Sequence, residues 1–457
     1  MQMDKNHQES RINASDLAQV DLVRADLGHI WHPCTQMQDH ESLPLIPIKS
    51  GKGVYLYDFD GKGYIDGISS WWVNLFGHCN PYISQKLKEQ IESLEHVLLA
   101  GFSHEPIIRL SKRLVDLLPA ALQKCFYADN GSSAIEVALK MSYHKSLLRG
   151  GAKGGAKAAG QRGGKRKFLA LSNGYHGETI GALSVGGVEL YKDTYGALLL
   201  ECVQAPVPRG VDFAHELEIF KDLVRAHHHE ICAFILEPLV QCAGGMHMYS
   251  AEFVRESVLF ARSYGIDIIF DEIAVGFGRT GSMFALEQCE VVPDFLCLSK
   301  GITGGYLPLS VVVTTDEVYQ HFYAPYESGK AFLHSHSYTG NPLACACANA
   351  VLDIFERDSI LAQNKRTESY IVDKMRNLAS FPQVANIRHR GMIFAFDLVG
   401  TKKPRAGLEF FKMALARGVI LRPLGGTIYF MPPFVITHEE IDRVVGCMEE
   451  ILACNNL

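Results

Sequence analysis

The chain contains the stretch FLCLSKGITGGYLPLS at residues 295–310, where a short apolar run ends on a single lysine and a glycine-rich loop follows. The run FLCL is typical of a strand that is buried on both faces of a parallel sheet. Lysine is rarely buried without a partner, because its ammonium is strongly hydrated. Lys300 therefore either meets a partner elsewhere in the fold or uses its amine in chemistry.

Similar apolar runs alternate with helical patterns from about residue 100 onward. They are FLAL at 168, CAFILE at 232, IDIIF at 266, FLCLS at 295 and LSVVV at 309. This alternation predicts an α/β fold with a mostly parallel sheet that helices cover on both faces. Three of the runs finish on an ionisable residue, namely Glu237, Asp271 and Lys300. Because ligands gather at the carboxyl ends of parallel strands, we expect these three side chains to lie at one edge of the sheet.

Both ends of the chain are predicted to form a smaller α+β domain. The segment GKGVYLYDFDGKGYID (51–66) alternates apolar and polar residues around Asp60-Gly61, a favoured hairpin turn. Beyond residue 345, a long helical stretch precedes the strand-like MIFAFDL and GVILRP and a final helix. We therefore expect an N-terminal arm and hairpin in residues 1–75 (with a mobile arm up to about residue 28), a large domain in 76–345, and the rest of the small domain in 346–457.

Residues 149–167, RGGAKGGAKAAGQRGGKRK, carry seven basic residues, seven glycines and no acidic residue. A phosphate-binding P-loop is excluded, since Arg166 stands where Ser or Thr should follow Gly164-Lys165. An RNA-binding loop is an alternative from charge alone, but the segment has no aromatic residue that could stack on a base. The favoured interpretation is a flexible surface insertion.

Composition excludes several classes of protein. The net charge of -6 gives no overall positive field that would favour nucleic acid or an anionic membrane. Twelve cysteines without a C-x-x-C pair predict reduced thiols, and neither a disulfide framework nor a metal site. The polar N-terminus lacks the apolar core of a signal peptide. We expect a cytoplasmic globular protein whose partners are small molecules or another protein chain.

A lysine with a lowered pKa can attack a carbonyl and form a Schiff base. If that carbonyl belongs to pyridoxal phosphate, the site also needs a carboxylate at the pyridine nitrogen, an anion cradle and a flat side chain over the ring. Asp271 supplies a carboxylate, Gly131 and Ser132 lie at the start of a helix, and Tyr175 is aromatic. Taken alone, Asp271 is as often a strand-end helix cap, Gly131 and Ser132 more often belong to an ordinary helix cap, and Tyr175 is more often a packing residue.

The start of that helix shows a further signal. The run Ser133-Ala134-Ile135-Glu136 has the spacing of a capping box, in which the first and fourth side chains bond to each other's backbone amides. We therefore expect the helix to begin at Ser133.

Four motifs resemble the class III, fold type I aminotransferases that depend on pyridoxal phosphate. They are FDEIAVGFGRTG (270–281), LSKGITGG (298–305), NGYHGET (173–179) and SYTGNPLACA (337–346), and their order and spacing agree across most of the chain. The resemblance implies a large domain with a mostly parallel seven-stranded sheet and a smaller α+β domain from both chain ends. It also implies a homodimer with shared active sites.

The same resemblance implies roles for individual residues. Lys300 would bind the cofactor covalently and carry a proton, and Asp271 would face the pyridine nitrogen. Gly131 and Ser132 would bind the phosphate, and Tyr175 would stack on the ring and contact substrate. The phosphate site would be completed from the neighbouring subunit by Ser337.

Further segments narrow the resemblance to one branch of the family, which aminates a keto acid with a long aliphatic chain. These segments are WHPCTQM (31–37), DGISSWWVNLFGHCNP (66–81), EPLVQCAGGMHMY (237–249) and LRPLGGTIYFMPP (421–433). Trp71 would line the channel for the aliphatic chain, and Arg422 would bind the carboxylate through its planar fork. Arg279 is either a further active-site residue or half of a structural ion pair.

Three positions differ from the best-known members of that branch. Cys34 replaces a tyrosine that touches the substrate, Glu178 replaces an aspartate, and Ser335-His336-Ser337 replaces Gly-Pro-Thr. The amino donor therefore stays open between S-adenosylmethionine and lysine. Three different functions also stay open: an omega-aminotransferase that uses a 2-oxo acid, an aminomutase, and a binding protein that uses the basic insertion at 149–167.

Overall fold

The computed structural model of the protein describes residues 19–150, 164–210 and 212–454. Its strands are β1 Ile48–Lys52, β2 Tyr55–Asp58, β3 Gly63–Asp66, β4 Leu122–Ala128, β5 Lys167–Leu171, β6 Cys202–Ala205, β7 Ile231–Leu236, β8 Val240–Gln241, β9 His247–Met248, β10 Asp267–Asp271, β11 Phe295–Leu298, β12 Ser310–Thr315, β13 Val384–Arg390, β14 Ile393–Leu398, β15 Val419–Ile420 and β16 Thr427–Phe430.

The helices follow in the same order along the chain. They are α1 Gln19–His29, α2 Ser69–Trp72, α3 Pro81–Ile91, α4 Glu105–Leu117, α5 Gly131–Arg149, α6 Ile180–Val185, α7 Glu189–Lys192, α8 Ala214–His227, α9 Ala251–Ser263, α10 Leu286–Cys289, α11 Asp316–Gln320, α12 Pro342–Asp358, α13 Ile360–Met375, α14 Ala406–Ala416 and α15 His438–Ala453. None of these helices, within the part of the chain that the structure describes, is long and apolar enough to cross a membrane.

A seven-stranded sheet in the order β4-β12-β11-β10-β7-β5-β6 forms the centre of the large domain. Strands β11, β10, β7, β5 and β6 run parallel to one another, and β12 is antiparallel to both of its neighbours. Every residue of β7, β10 and β11 is buried, which explains why their sequences are apolar runs without alternation. The predicted mostly parallel sheet is confirmed.

The two strands at the sheet's edges, β4 and β6, were not predicted from the sequence. Both are only partly buried, and polar residues interrupt their apolar pattern. An edge strand is covered less completely than a central one, so its sequence needs fewer apolar residues and gives a weaker signal.

The smaller domain contains segments from both chain ends, as predicted. Strands β2 and β3 form an antiparallel hairpin around Asp60-Gly61, and β3 pairs in parallel with β15, Ile65 opposite Val419. Strands β13, β14 and β16 form a second sheet of this region. The predicted fold class is confirmed, while the domain boundaries at residues 75 and 345 stay predictions.

Two predicted segments fall largely outside the described residues. For the N-terminal arm, the structure describes only the part from residue 19 onward, which begins with α1. Residues 151–163 of the basic insertion are not described. On the C-terminal side of the insertion, the ammonium of Lys165 donates hydrogen bonds to the carbonyls of Tyr264 and Gly265.

Helix α5 begins at Gly131, which corrects the predicted start at Ser133. The cap is Asn130, whose side-chain oxygen accepts a hydrogen bond from the Ser133 amide. Glu136 does not take part in a capping box; its Oε1 accepts from the amides of Gly181 and Ala182 at the start of α6. An asparagine is as good a cap as a serine, so the earlier residue could take this role and extend the helix.

A buried ion pair fixes α5 against the sheet. The ammonium of Lys145 lies 2.7 Å from Oδ1 of Asp267, and these side chains are only 2% and 9% exposed. Ser142 donates a second hydrogen bond to Asp267, at 2.8 Å. Because Asp267 begins β10 and Lys145 lies in the second half of α5, the pair holds the helix with its N-terminus toward the carboxyl end of that strand.

We expect Lys145→Ala to lower the free energy of unfolding by about 3 kcal/mol, because it leaves the buried Asp267 without its cation. The matched control is Lys112→Ala, which breaks an exposed pair with Asp116 on α4. It should cost less than about 1 kcal/mol. Urea unfolding measures both values, and equal losses in the two variants would contradict the assigned role of Lys145.

Candidate active site

A cavity of about 500 Å³ lies at the carboxyl edge of the sheet. Glu237 follows β7, Asp271 ends β10 and Lys300 follows β11, and all three line this cavity, as the sequence predicted. The start of α5 and the loop after β5 close it from the side. Of the predicted site residues, five lie in its wall: Gly131, Ser132, Tyr175, Asp271 and Lys300.

Lys300 follows β11 and is the first residue of a short 3-10 turn. Its φ of +45° lies in the left-handed region, an unusual conformation for a residue with a side chain. Burial lowers the pKa of its ammonium, and the charges of Asp271, Cys242 and Glu237 oppose this only in part. Lys300 has no ion pair within the described residues. A larger fraction of its amine is therefore neutral and able to attack a carbonyl.

Asp271 is the last residue of β10 and is buried. Its Oδ2 lies 2.7 Å from Nδ1 of His176, and its Oδ1 accepts from the amide of Ile273 at 3.1 Å. These two contacts fix the plane of the carboxylate toward the cavity. His176, the partner of Asp271, also lies in the cavity wall.

Glu237 is buried directly after β7. Its two oxygens accept hydrogen bonds from the amides of Tyr175 and Cys242, at 2.9 and 3.0 Å. Burial raises its pKa to about 7, with His176 opposing and Asp271 reinforcing the shift. Glu237 is thus a group at the cavity that holds a proton at a higher pH than an ordinary carboxyl.

The start of α5 and the loop after β5 form a small polar cradle. Oγ of Ser132 accepts a hydrogen bond from the Glu178 amide at 3.1 Å, so its own hydrogen remains available for a ligand. The loop approaches so closely that a Cβ on Gly177 would lie 1.8 Å from this Oγ. The first amides of a helix have no acceptor within the helix and favour an anion.

Tyr175 lies at the side of the cavity and is half-buried. Its hydroxyl donates to Oε1 of Glu178 at 3.0 Å, and its ring meets that of Tyr191 edge to face. Burial, followed by the negative charge of Glu178, raises the pKa of the Tyr175 phenol. The phenol therefore remains protonated near neutral pH, and its ring presents a flat surface to the cavity.

Two predicted substrate residues form a separate group next to the cavity. The guanidinium of Arg422 lies 5.6 Å from the ring of Trp71, which is 40% exposed. Arg422 also donates to the carbonyl of Cys34 at 3.1 Å. Ser337 is exposed and does not line the cavity of its own chain. The roles assigned to these residues stay predictions.

The structure places Trp72, rather than Trp71, in the cavity wall. The indole of Trp72 lies 4.8 Å from the ammonium nitrogen of Lys300. The sequence shows two adjacent tryptophans but cannot show which one faces inward, because that depends on the hand of the backbone at this turn.

Arg279 forms no ion pair within the described residues, which corrects one of its two predicted roles. It is fully buried, and it donates to the carbonyls of Pro432 and Asn74 while stacking on Phe434. Burial lowers the pKa of its guanidinium to about 9. Arg279 thus joins the loop after β10 to segments from both chain ends.

Comparisons with known proteins agree with this geometry. The family model for aminotransferase class III matches residues 36–452. The chain is 57% identical, over 95% of its length and 98% of the relative's, to the adenosylmethionine-8-amino-7-oxononanoate aminotransferase of Helicobacter pylori. The enzyme of the same name from Geobacter sulfurreducens is 39% identical over 93% of this chain and 96% of its own.

Two solved structures are also similar. The crystal structure of the adenosylmethionine-8-amino-7-oxononanoate aminotransferase from Methanocaldococcus jannaschii matches with a TM-score of 0.90 and 35% identity, covering 96% of this chain and all of that one. An amine transaminase from an uncultivated Pseudomonas species, solved in its PLP-bound form, matches with a TM-score of 0.86 and 28% identity over 93% of this chain and 98% of its own.

The raised pKa of Glu237 predicts a specific pH dependence of stability. Between the ordinary pKa of 4.5 and the folded-state value of about 7, the folded protein keeps a proton that the unfolded chain has released. The free energy of unfolding therefore falls as the pH rises through this window, and the loss is complete above it. A Glu237→Gln variant does not have this loss.

We compare the free energy of unfolding of Glu237→Gln with that of wild type at each pH. The difference, variant minus wild type, should increase by about 3 kcal/mol from pH 4.5 to pH 8. Urea unfolding at several pH values gives the difference, in which any constant cost of the amide cancels. Glu256→Gln, at an exposed position of α9, is the control and should show no such trend. If the curves of Glu237→Gln and wild type stay parallel, the pKa assignment is wrong.

Proposed function

The chain belongs to the class III aminotransferases, and we propose that it transfers an amino group to 8-amino-7-oxononanoate. The product is 7,8-diaminononanoate, a precursor of biotin. The observation that carries this proposal is the identity of 57% to the Helicobacter pylori enzyme over nearly the full length of both chains. The cavity supports it, because Lys300, Asp271 and the α5 cradle meet there.

Pyridoxal 5'-phosphate is the cofactor that fits these residues. The first amides of α5 and the Ser132 hydroxyl would bind its phosphate, and the Asp271 carboxylate would face its ring nitrogen. The approach of Gly177 to Ser132 leaves no room for a side chain and keeps this cradle narrow. When bound, the cofactor withdraws electrons from the carbon that bears the amino group.

The chemistry that the chain itself supplies is centred on Lys300. Its neutral amine would hold the cofactor and, when free, would accept a proton from the amine-bearing carbon and carry it to the cofactor. Burial makes this possible, since the lowered pKa leaves more of the amine neutral. The indole of Trp72 lies 4.8 Å from the same amine and contributes to its desolvation. The Tyr175 ring limits the cavity on another side.

The reaction proceeds in two halves at the same site. The donor would leave its amino group with the cofactor and depart as a carbonyl compound before the acceptor enters. Arg422 binds the acceptor's carboxylate through two parallel N–H groups, and Trp71 contacts its aliphatic chain. In the structure these two side chains already lie against each other at 5.6 Å.

S-adenosylmethionine is the donor we propose, in agreement with the names of the similar enzymes from three organisms. Lysine is the second candidate, because Cys34, whose carbonyl accepts a hydrogen bond from Arg422, stands where a tyrosine is expected. We also propose that the chain forms a homodimer, in which Ser337 of the partner subunit contacts the phosphate of the cofactor. The cytoplasmic location stays a prediction.

A substrate panel tests the proposed function. We expect 8-amino-7-oxononanoate to exceed pyruvate and 2-oxoglutarate as acceptor by at least about a hundredfold in kcat/KM. Neither short acid has an aliphatic chain that would place a carboxylate at Arg422 while its carbonyl lies at Lys300, so the guanidinium would stay unpaired. S-adenosylmethionine and lysine are each compared as donor, with diamine formation measured by mass spectrometry. Lys300→Ala is the inactive control.

Better turnover of pyruvate or 2-oxoglutarate would contradict the proposed acceptor and favour an omega-aminotransferase. An isomerised product from a single substrate would favour an aminomutase. Normal turnover by Lys300→Ala would exclude Lys300 from the reaction.

A second prediction concerns the cradle. Gly177 has a φ of +121°, and a methyl group there would overlap Oγ of Ser132. Gly177→Ala should weaken binding of pyridoxal 5'-phosphate to the apoprotein by about 10- to 100-fold, the value of one or two charge-assisted hydrogen bonds. Fluorescence titration measures the affinity.

The matched control is Gly196→Ala, because a Cβ at Gly196 meets nothing within 4 Å. Pyridoxal without phosphate serves as a second comparison, and its affinity should change much less. Equal losses for pyridoxal and its phosphate ester would show that Gly177 does not act through a phosphate site.

A further inference from the structure

The backbone from Ser69 to Trp72 has an unusual conformation. Four consecutive residues have positive φ, at 52°, 45°, 68° and 73°. Each lies in the left-handed region, where a Cβ comes too close to the following carbonyl oxygen. Residues other than glycine visit this region singly, so a run of four persists only where the surrounding structure holds it.

The group that holds this turn is the carboxylate of Asp66, at the end of β3. Its side chain is almost fully buried, at 1% exposure. Oδ1 accepts from the amides of Ser70 and Ile68 at 2.9 and 3.3 Å, and Oδ2 accepts from the Ser70 hydroxyl at 2.7 Å. Oδ2 also lies 2.9 Å from Nε2 of His78. Both carboxylate oxygens of Asp66 are thus occupied by hydrogen bonds to the turn and to His78.

His78 is itself fixed in place. Its Nδ1 lies 3.1 Å from the side-chain nitrogen of Asn74, which can only donate. Nδ1 is therefore the acceptor, and Nε2 carries the hydrogen that points to Asp66. On the other side of the turn, the Ser69 hydroxyl donates to the carbonyl of Met431 at 2.8 Å. The first two residues of the turn are thus each held by a contact from outside it.

The turn determines where two aromatic side chains go. Trp72 is buried with its ring 4.8 Å from the ammonium of Lys300, while Trp71 is half-exposed with its ring 5.6 Å from the guanidinium of Arg422. Two adjacent residues therefore contact the two cations that the proposed function assigns to the chemistry and to the acceptor's carboxylate.

We propose that Asp66 is a positioning residue for the reaction: through the left-handed turn it sets Trp72 against Lys300 and Trp71 against Arg422. Asp66 touches neither cation, and it acts only through the geometry of the turn. The inference rests on the proposed function for the roles of Lys300 and Arg422, but the placement of the indoles can be measured without any substrate.

The test is Asp66→Asn in the full-length protein. A carboxamide has one accepting oxygen and places an NH₂ group toward donors, so it cannot replace all of the carboxylate's contacts. We expect the turn to relax and both indoles to move. In the holoenzyme, kcat/KM for 8-amino-7-oxononanoate should fall by about 10- to 100-fold. Both a lower kcat, from Trp72, and a higher KM, from Trp71, should contribute.

Acrylamide quenching of indole fluorescence gives a readout that does not depend on turnover. The chain has three tryptophans, so Trp31→Phe leaves only Trp71 and Trp72. In that background, Asp66→Asn should raise the quenching constant at least about twofold, because the buried Trp72 becomes accessible. The quenching constant reports the accessibility of the two indoles even if the enzyme uses a different acceptor.

The matched control is Asp58→Asn. Asp58 is also buried at a strand end, and its oxygens accept from the amides of Asp60 and Lys62 and from the Tyr64 hydroxyl. It supports the hairpin and not the tryptophan turn. Asp58→Asn should leave quenching and kcat/KM within about twofold of wild type, even where it lowers stability.

A rescue variant separates positioning from a general structural or electrostatic effect. Glycine adopts the left-handed region without a steric penalty, so Ser70→Gly added to Asp66→Asn should restore the turn in part. We expect it to recover most of the lost kcat/KM and to return quenching toward the parent value. A role of the Asp66 charge alone would not be rescued in this way.

Two results would overturn the proposal. One is unchanged quenching and kinetics in Asp66→Asn; the other is lost activity with unchanged quenching and no rescue by Ser70→Gly. If Asp66→Asn does not fold, His78→Gln removes one support of the same carboxylate and should shift both readouts in the same direction by a smaller factor. No shift in His78→Gln would then contradict the proposal.

Discussion

The desolvation of the Lys300 ammonium is the constraint on which the rest of the site depends. A lysine can be buried only if the fold tolerates a lowered pKa or supplies a counter-charge, and here burial outweighs the nearby acidic groups. The parallel sheet makes this possible, because β7, β10 and β11 deliver Glu237, Asp271 and Lys300 to the same edge. Helix α5, fixed by its buried ion pair, brings its N-terminus to that edge and completes a site for an anionic ligand.

The smaller domain contributes contacts near the cavity that the seven-stranded sheet does not provide. Segments from both chain ends meet in one sheet through β3 and β15. From that sheet Asp66 supports the left-handed turn, and Arg279 joins the loop after β10 to the carbonyls of Asn74 and Pro432. The ring of Trp72 lies 4.8 Å from the Lys300 ammonium and forms part of the cavity wall beside it. Two adjacent indoles of one continuous segment thus lie against the Lys300 ammonium and the Arg422 guanidinium.

The sequence predicted those features that leave a strong local pattern. The central strands are buried on both faces, so their apolar runs and their final ionisable residues could be found directly. The edge strands β4 and β6 are partly exposed and gave no such signal. The start of α5 was misplaced, because Asn130 and Ser133 are both good caps and only the fold selects between them. Which of Trp71 and Trp72 faces the cavity depends on whether the backbone at this turn is left- or right-handed. A sequence pattern does not show this.

The proposed role of Lys300 is to bind the cofactor's carbonyl through its amine. Reduction of the purified protein with borohydride, followed by peptide mapping by mass spectrometry, tests this role. We expect one pyridoxyl group per chain, on the peptide that contains Lys300, together with loss of absorption in the visible range. A protein that carries no such label, or carries it on a different lysine such as Lys140, would show that Lys300 does not have this role.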